Sequence, residues 1–474
     1  MAEYPLVVDL DGTLLRSDLL IETGLLFLRD RPHRFLDPLR WLLRGKAALK
    51  HELAYATDVD VSVLPYDEAV IEFIRAERGR GRRVVLATAS HRRLAERVAE
   101  HLALFDEVIS TEGDRNLSAG TKRDVLVKAF GEKGFDYLGN SADDLPVWSA
   151  ARSGFIANAS RSIERRARRL GNLSGVVSRA QSSWRDWAKA LRLHHWLKNV
   201  LLFVPLLASH LYSVPALVAE SLLAFVCFGL CASSVYILND LLDVADDRHH
   251  LRKRYRPYAS GRLTLRSGYL AVPVLLLAAF GLAAWQLPWL FVAGLGAYYL
   301  LTLAYSLWLK RRMVIDVMGL AALYTLRIIL GGWAIGIGLS FWLLAFSMFL
   351  FLSLAMVKRY AELYDRQVQG NGEIVRGRGY LAGDLAMIAS LGGAAGYLSV
   401  LVLALYINDP DTAQMYSRPE FIWLACPLLL TWISRVWMIA HRGGMHEDPV
   451  IFAIRDRASL LIGAATAAVF WAAR

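Results

Sequence analysis

Cysteine is almost absent from this chain. Three residues in 474, Cys227, Cys231 and Cys426, all lie inside apolar runs. So few thiols, so placed, exclude a disulfide framework and support no zinc site; buried free thiols are the expectation. No fixed-period repeat and no low-complexity tract occurs, which excludes solenoids, propellers and compositionally disordered arrays. The chain opens on "PLVVDLDGT", a strand pattern without a small-residue cleavage site, so no signal peptide is expected. Charge is also scarce: 20% of residues are charged and 55% are hydrophobic. That is too apolar for a soluble protein of this length and predicts a chain that crosses a membrane several times.

The apolar residues are unevenly spread. Residues 1–180 carry strand-length pieces between charged segments, whereas 190–474 is dominated by runs of roughly 17–24 apolar residues, long enough to span hydrocarbon. Between them lie "RSIERRARRL" (161–170) and "SRAQSSWRDW" (178–187). The reading is a soluble domain over 1–165, a basic linker over 166–190 and a membrane domain over 191–474. Nine spans are expected, at about 196–211, 216–238, 269–286, 288–308, 315–337, 340–357, 384–407, 420–440 and 457–473. Acids are fewer than bases, 43 against 54, for a net charge of +11. The excess bases gather in alternate loops, 239–268, 309–314, 358–383 and 441–456, while "NDPDTAQMYSRPE" (408–420) on the opposite side leans acidic. This is the positive-inside pattern of an inner-membrane protein whose N-terminal domain is cytoplasmic. Basic charge is thereby explained by topology, and a nucleic-acid partner is not expected.

In the N-terminal part, "LVVDLDGTLL" (6–15) is a hydrophobic strand running into Asp9-Leu10-Asp11, and "RRVVLATAS" (82–90) is a second, ending at Thr88. "AGTKRDVLVKAF" (119–130) places Lys122 near a helix start, and "FDYLGNSADDLPVW" (135–148) is a third strand followed by an acidic loop. Acids and hydroxyls at the carboxyl ends of parallel strands converge in one crevice. There a carboxylate can attack phosphorus and a second acid can protonate the leaving oxygen. Thr88 and Lys122 would hold the phosphate, and Mg²⁺ on the acids would offset repulsion.

Order and content resemble the haloacid-dehalogenase (HAD) phosphatases over about 4–160. The resemblance implies an α/β Rossmannoid domain with a small helical cap over 16–75. Asp9 would be the nucleophile and Asp11 the acid/base, with Thr88 and Lys122 as phosphate binders. Asp143 and Asp144 stand in the acidic positions of the fourth motif, which commonly begins Gly-Asp and here reads Gly139-Asn140. Asn140 can still offer Mg²⁺ a carbonyl oxygen, with less charge. The competing reading is a degenerate domain kept as a scaffold.

In the membrane part, "NDLLDVADDRHH" (239–250) closes a hydrophobic helix. Asp240, Asp243 and Asp247 fall at i, i+3 and i+7, one helical face, with Asn239 beside them. Like charges on one stripe require a counter-ion, and an all-oxygen set points to Mg²⁺ shared with substrate phosphates. Cations follow in "RKRYRP" (Lys253, Arg254, Arg256), "YSLWLKRR" (Tyr305, Lys310), "RLHHWLKN" (Lys198), "LYTLRIILGG" (Arg327) and "MVKRYAEL" (Lys358, Arg359). A magnesium site with such cations suits a diphosphate.

The N-D-x-x-D-x-x-x-D motif and "RYRPYASGRL" resemble the UbiA superfamily of intramembrane prenyltransferases, an all-α fold of about nine transmembrane helices. The second acidic motif usual there, D-x-x-x-D, is broken: Asp316 is followed four residues later by Leu320. "LHHWLKNVLLFVP", "YSLWLKRRMVIDV", "LRIILGGWAIG" and "KRYAEL" look most like the decaprenyl-phosphate phosphoribosyltransferase branch. That resemblance implies phosphoribosyl pyrophosphate (PRPP) as donor and a polyprenyl phosphate as acceptor, with Asp240, Asp243 and Asp247 catalytic through Mg²⁺. The N-terminal domain would then remove the 5-phosphate of the lipid product. Two alternatives stand beside it: a prenyl-diphosphate transferase acting on an aromatic or glycerol-phosphate acceptor, and a membrane scaffold. A homo-oligomer is compatible with every reading.

Overall fold

The computed structural model describes residues 4–113, 116–179, 182–368, 379–407, 416–445 and 448–474. Most of the acidic loop at 408–420 and part of the basic loop at 358–383 lie outside the described residues. The chain forms two compact units, Met1–Leu191 with Tyr236–Pro273, and Arg192–Val235 with Val274–Arg474.

The first unit is built on six parallel strands: β1 (Leu6–Val8), β2 (Val84–His91), β3 (Glu107–Thr111), β4 (Asp136–Gly139), β5 (Gly154–Ala157) and β6 (Leu173–Ser178). Their order is β3-β2-β1-β4-β5-β6. Parallel strands covered on both faces read as unbroken apolar runs, and all three residues of β1 are buried. Leu6 and Val8 pack with Val70, Ile74, Leu94 and Val98, while Val7 packs on the other face with Leu126, Val147 and Trp148. The chain runs outward from β1 to β3 and then returns to β4 on β1's other side. The switch point therefore lies between β1 and β4, where an open α/β sheet binds its ligand. Between β1 and β2 three helices, Leu19–Asp30, Asp37–Leu43 and Lys46–Ala56, form the inserted cap. The stretch read as a basic linker contributes β6, whose pairing with β5 extends the sheet by one strand. The arginines of the Arg161–Arg168 helix had masked that strand's short apolar run.

The segment Tyr236–Pro273 carries the acidic motif and belongs to this same unit. Its anchor is Arg248, which is buried and forked onto Glu22 of the Leu19–Asp30 helix: Nη2 to Oε1 at 2.6 Å and Nη1 to Oε2 at 3.1 Å. Arg248 Nε also donates to the Ala259 carbonyl at 3.0 Å, and Ser17 Oγ donates to Glu22. Weaker ties flank it, Arg29 to Asp246 at 3.0 Å and His249 to Asp60 at 3.4 Å.

Among the described residues, seven helices of 20 to 28 residues are long and apolar enough to cross a membrane: Pro215–Leu242, Leu265–Gln286, Trp289–Arg311, Ile315–Ala334, Phe341–Asp365, Leu385–Ile407 and Pro419–His441. The two other expected spans are shorter helices, Leu193–Ala208 and Arg457–Ala473. The first begins as 11 residues of 3₁₀ helix, and the second has 17 residues, about 25 Å of α-helical rise, short of the ~30 Å of hydrocarbon.

Removing one member of a buried ion pair strands the other's charge, at a cost of about 3–5 kcal/mol. Glu22→Ala should therefore lower the thermal midpoint of the detergent-solubilised chain markedly, and Arg248→Met with Glu22→Leu should recover most of the loss. A midpoint unchanged in Glu22→Ala would mean that Arg248 finds water instead.

Candidate functional site

At the end of β1 the chain turns through Asp9-Leu10-Asp11-Gly12, with Gly12 at φ +78°. A Cβ there would stand 2.0 Å from Asn140 Nδ2, so glycine is what lets the Asn140 amide approach the loop. Asp9 is buried, with Lys122 Nζ donating to Oδ1 at 2.7 Å and Thr13 Oγ1 to Oδ2 at 3.2 Å. Lys122 also donates to Tyr137 Oη at 3.1 Å and stands 3.7 Å from Asp144. Tyr137 donates to Asp144 Oδ1 at 2.6 Å, and the other Asp144 oxygen accepts both Asn140 N and Ser141 N at 2.9 Å. Burial works against the Lys122 charge, but Asp9 and Asp144 hold the ammonium above its usual range.

Asp11 is arranged differently. Its Oδ1 accepts Leu19 N at 2.8 Å, its Oδ2 accepts Ser90 Oγ at 2.6 Å, and Thr88 Oγ1 lies 3.5 Å away. Burial, reinforced by Asp18, pushes its carboxyl up to about 7, while burial pushes Asp9 up to about 6 against the pull of Lys122. A carboxyl that holds its proton near neutrality suits a general acid. The bonds thus form two groups, Asp9 with Lys122 and Asp144, and Asp11 with Thr88, both following directly on β1, while Asp143 is exposed. Tyr137 belongs to the first group and Ser90 to the second, and neither was anticipated; a strand serine and a buried tyrosine carry no motif of their own.

In the acidic motif, the Pro215–Leu242 helix ends one residue before Asp243, yet Asp243 N bonds Asn239 O at 2.9 Å and Asp247 N bonds Asp243 O at 2.8 Å. The helical stripe is thereby carried across the join. Buried Asp240 and Asp247 share one nitrogen, Arg256 Nη1, at 3.1 and 2.7 Å. Asp243 and Asn239 are partly buried beside them. Lys253 and Arg254 are exposed, and Arg254 lies over the neighbouring Tyr255 ring at 4.9 Å.

The remaining cations belong to the second unit and lie around Asp448, at Arg327, around Asp316 and, for Lys310, in a turn. Asp448 Oδ2 receives Lys198 Nζ at 2.7 Å and Lys358 Nζ at 3.1 Å, with Tyr324 Oη donating to Oδ1 at 2.8 Å. Arg327, buried, bonds Asn199 Oδ1 at 3.2 Å and lies between the rings of Phe228, Tyr298 and Tyr324. Arg359 is turned to Asp316, 2.7 Å away, and to Glu362; Tyr305 Oη donates to the same Asp316 at 2.7 Å. Lys310 lies in the turn Leu309–Arg311. Asp448 was invisible in the sequence because Asp-Pro reads as a helix cap, a role it also fills for Pro449–Arg455.

Both acidic sites offer only oxygen donors. Among the described residues no three His, Cys, Asp or Glu side chains converge as a ready-made metal cage. Two carboxylates that already meet at a single cationic nitrogen do fit Mg²⁺, which is typically bound through one or two carboxylates plus substrate phosphates. Asp240 and Asp247 would hold it in the membrane site. In the phosphatase-like site the oxygen donors on offer would be Asp9 and Asn140, with Asp144 already bonded to Tyr137 and two backbone amides.

Comparison with known proteins places residues 201–452 in the UbiA prenyltransferase family and residues 6–148 among the haloacid dehalogenase-like hydrolases. An uncharacterised protein of Sinorhizobium fredii, y4nM, is 36% identical over 470 residues, 99% of this chain and 90% of its own length. The nodulation protein NoeC of Azorhizobium caulinodans is 37% identical over 294 residues, 61% of this chain and 94% of its own. The decaprenyl-phosphate phosphoribosyltransferase of Mycobacterium tuberculosis is 31% identical over 289 residues, 60% of this chain and 93% of its own.

Asp448→Ala would leave two ammonium groups facing each other without a counter-charge. It should destabilise the solubilised chain by about 3 kcal/mol or more, whereas Lys358→Met, which leaves Lys198 paired, should cost less than half as much. Equal losses in thermal unfolding would show that Asp448 is not the hub.

Proposed function

The chain is an integral membrane protein of the UbiA prenyltransferase family with an N-terminal HAD-like domain, and from that premise we propose that it transfers 5-phosphoribosyl from PRPP to a polyprenyl phosphate. The observation that carries the reading is the fate of Asp316. The carboxylate that would open a second acidic motif is buried against Arg359 and Tyr305, and Leu320 fills the motif's other position. Of the two acidic motifs usual in this family, the one at Asp240, Asp243 and Asp247 is intact in this chain. That asymmetry suits a donor with one diphosphate and a further phosphate that takes cations. Relatives named as decaprenyl-phosphate phosphoribosyltransferases support the same choice.

In this reading Asp240 and Asp247, with Asp243 and Asn239 beside them, would hold Mg²⁺, whose positive charge would favour departure of diphosphate from C1 of the ribose. Arg256, already at the acids, contributes a second positive group to the same end. Lys198 and Lys358 contribute phosphate recognition; Asp448 removes one of their two charges, which keeps both ammonium groups tolerable in a buried setting. A lipid phosphate oxygen is already an anion, so attack on C1 needs orientation and no strong protein base.

The N-terminal domain is assigned the hydrolysis of the 5-phosphate of the lipid product. Asp9 attacks the phosphorus to form an aspartyl phosphate as Asp11 delivers its proton to the departing ribose oxygen; water, deprotonated by Asp11, then attacks that phosphorus, freeing inorganic phosphate and restoring Asp9, while Lys122 and Thr88 hold the phosphoryl oxygens. The product would be polyprenyl-phosphoryl ribose, on the cytoplasmic side of a bacterial inner membrane.

Purified chain in lipid nanodiscs, supplied with Mg²⁺, radiolabelled PRPP and a polyprenyl phosphate, should move label into the organic phase. Asp240→Asn should reduce that transfer at least about 100-fold. Asp9→Asn should transfer normally but accumulate the 5-phosphorylated lipid. Transfer from a prenyl diphosphate in place of PRPP would overturn the donor assignment, and an unchanged product distribution in Asp9→Asn would overturn the phosphatase step.

A further inference from the structure

The cap contains a segment that the reaction does not account for. Residues 31–46 read "RPHRFLDPLRWLLRGK", and the short helices Pro32–Arg34 and Asp37–Leu43 within it bury no residue. Phe35, Leu36, Leu39, Leu42 and Leu43 recur at i, i+1, i+4, i+7 and i+8, the spacing of one helical face. All five are exposed, Phe35 at 59%, Leu39 at 58% and Leu43 at 89%. The opposite side is the one held to the fold. Trp41 packs edge-on against Phe27 at 5.1 Å, and Arg34 pairs with Asp37 while lying over the same Phe27 ring. The segment is therefore fastened by its polar and aromatic side, with its apolar side outward.

An outward apolar stripe on a folded domain marks an interaction surface. Its flanks identify the partner. Arg31, His33, Arg34, Arg40, Arg44 and Lys46 accompany a single acid, Asp37, which is already taken by Arg34 and Arg40. A basic amphipathic helix with leucine and phenylalanine on its apolar face is the pattern of a helix lying in the interface of an anionic bilayer. A second copy of the chain would have to bury the same array of like charges against itself.

We infer that residues 31–46 are a lipid-surface anchor, with the apolar stripe in the acyl boundary and the arginines among anionic headgroups. The anchor brings the cap of a water-facing domain to the plane from which a polyprenyl-linked molecule would be presented. Its existence does not depend on the identity of that molecule.

The test uses the full chain in nanodiscs containing anionic lipid, with a nitroxide on Leu39→Cys or Leu43→Cys. Cys227, Cys231 and Cys426 are buried and stay unlabelled. A nitroxide at the exposed Glu100→Cys gives the aqueous reference. The stripe labels should be more accessible to oxygen than to a water-soluble nickel complex, at a depth of about 5–10 Å below the headgroups. Accessibility equal to that at position 100 would overturn the proposal. So would dipolar broadening between labels on two copies, which would assign the stripe to self-association. No substrate is present, so failure of the phosphoribosyl reading would leave this result unaffected.

Discussion

Much of the first unit is organised around one forked ion pair, Glu22 with Arg248. Glu22 lies in the first turn of the Leu19–Asp30 helix, and the amide of that helix's first residue bonds Asp11. Arg248 directly follows Asp247, which bonds Arg256 together with Asp240. One helical turn thus touches the acid of the hydrolase-like site and the residue beside the acidic motif. A buried pair of this kind gains little net stability, because two charges lose their water. What it supplies is register. A guanidinium that must meet both oxygens of one carboxylate admits few placements of the loop that bears it.

The same physics explains the rest of the buried charge. In a low-dielectric interior an acid stays ionised only beside a cation, and a cation only beside an acid or an aromatic face. Asp448 lies between Lys198 and Lys358, Asp316 is paired with Arg359, and Arg327 has a carbonyl oxygen of Asn199 and three rings. Two of these arrangements leave net positive charge, at Lys198–Lys358 and at Arg327. The Asp316–Arg359 grouping is closed on itself.

The ends of the central strands were legible from the sequence because a parallel strand reads as an apolar run, and the residues just past its end are the ones the crevice receives. The run "LVV" and the acids after it locate Asp9 and Asp11, and the start of the Ala119–Phe130 helix locates Lys122. The acidic motif was equally plain, since three acids at helical spacing after a long apolar helix have few bland explanations. Outer strands were harder: β3 and β6 are only partly buried, and their patterns dissolve among charged neighbours. Partnerships across long separations were not legible at all. Glu22 and Arg248 are 226 positions apart, and Lys198 and Asp448 are 250 apart. Each of these residues alone resembles an ordinary surface charge, and only the fold shows that it is not.

The two acidic centres share a design and differ in one respect that bears on chemistry. In each, two carboxylates approach a single nitrogen, Lys122 between Asp9 and Asp144, and Arg256 between Asp240 and Asp247. The side chain of Lys122 is only 6% exposed and has Tyr137 as a third partner, so it has nowhere else to go. It is an enclosed part of its site, where the proposed function would have it hold a phosphoryl group beside Asp9. Arg256 has a side chain 30% exposed, at the edge of a loop. A planar guanidinium on a long stem can swing by a few ångströms and keep one of its bonds. The first centre is therefore the more tightly enclosed of the two. Under the proposed function the second would be the one to admit Mg²⁺ at its acids, with Arg256 turning toward the substrate's phosphates.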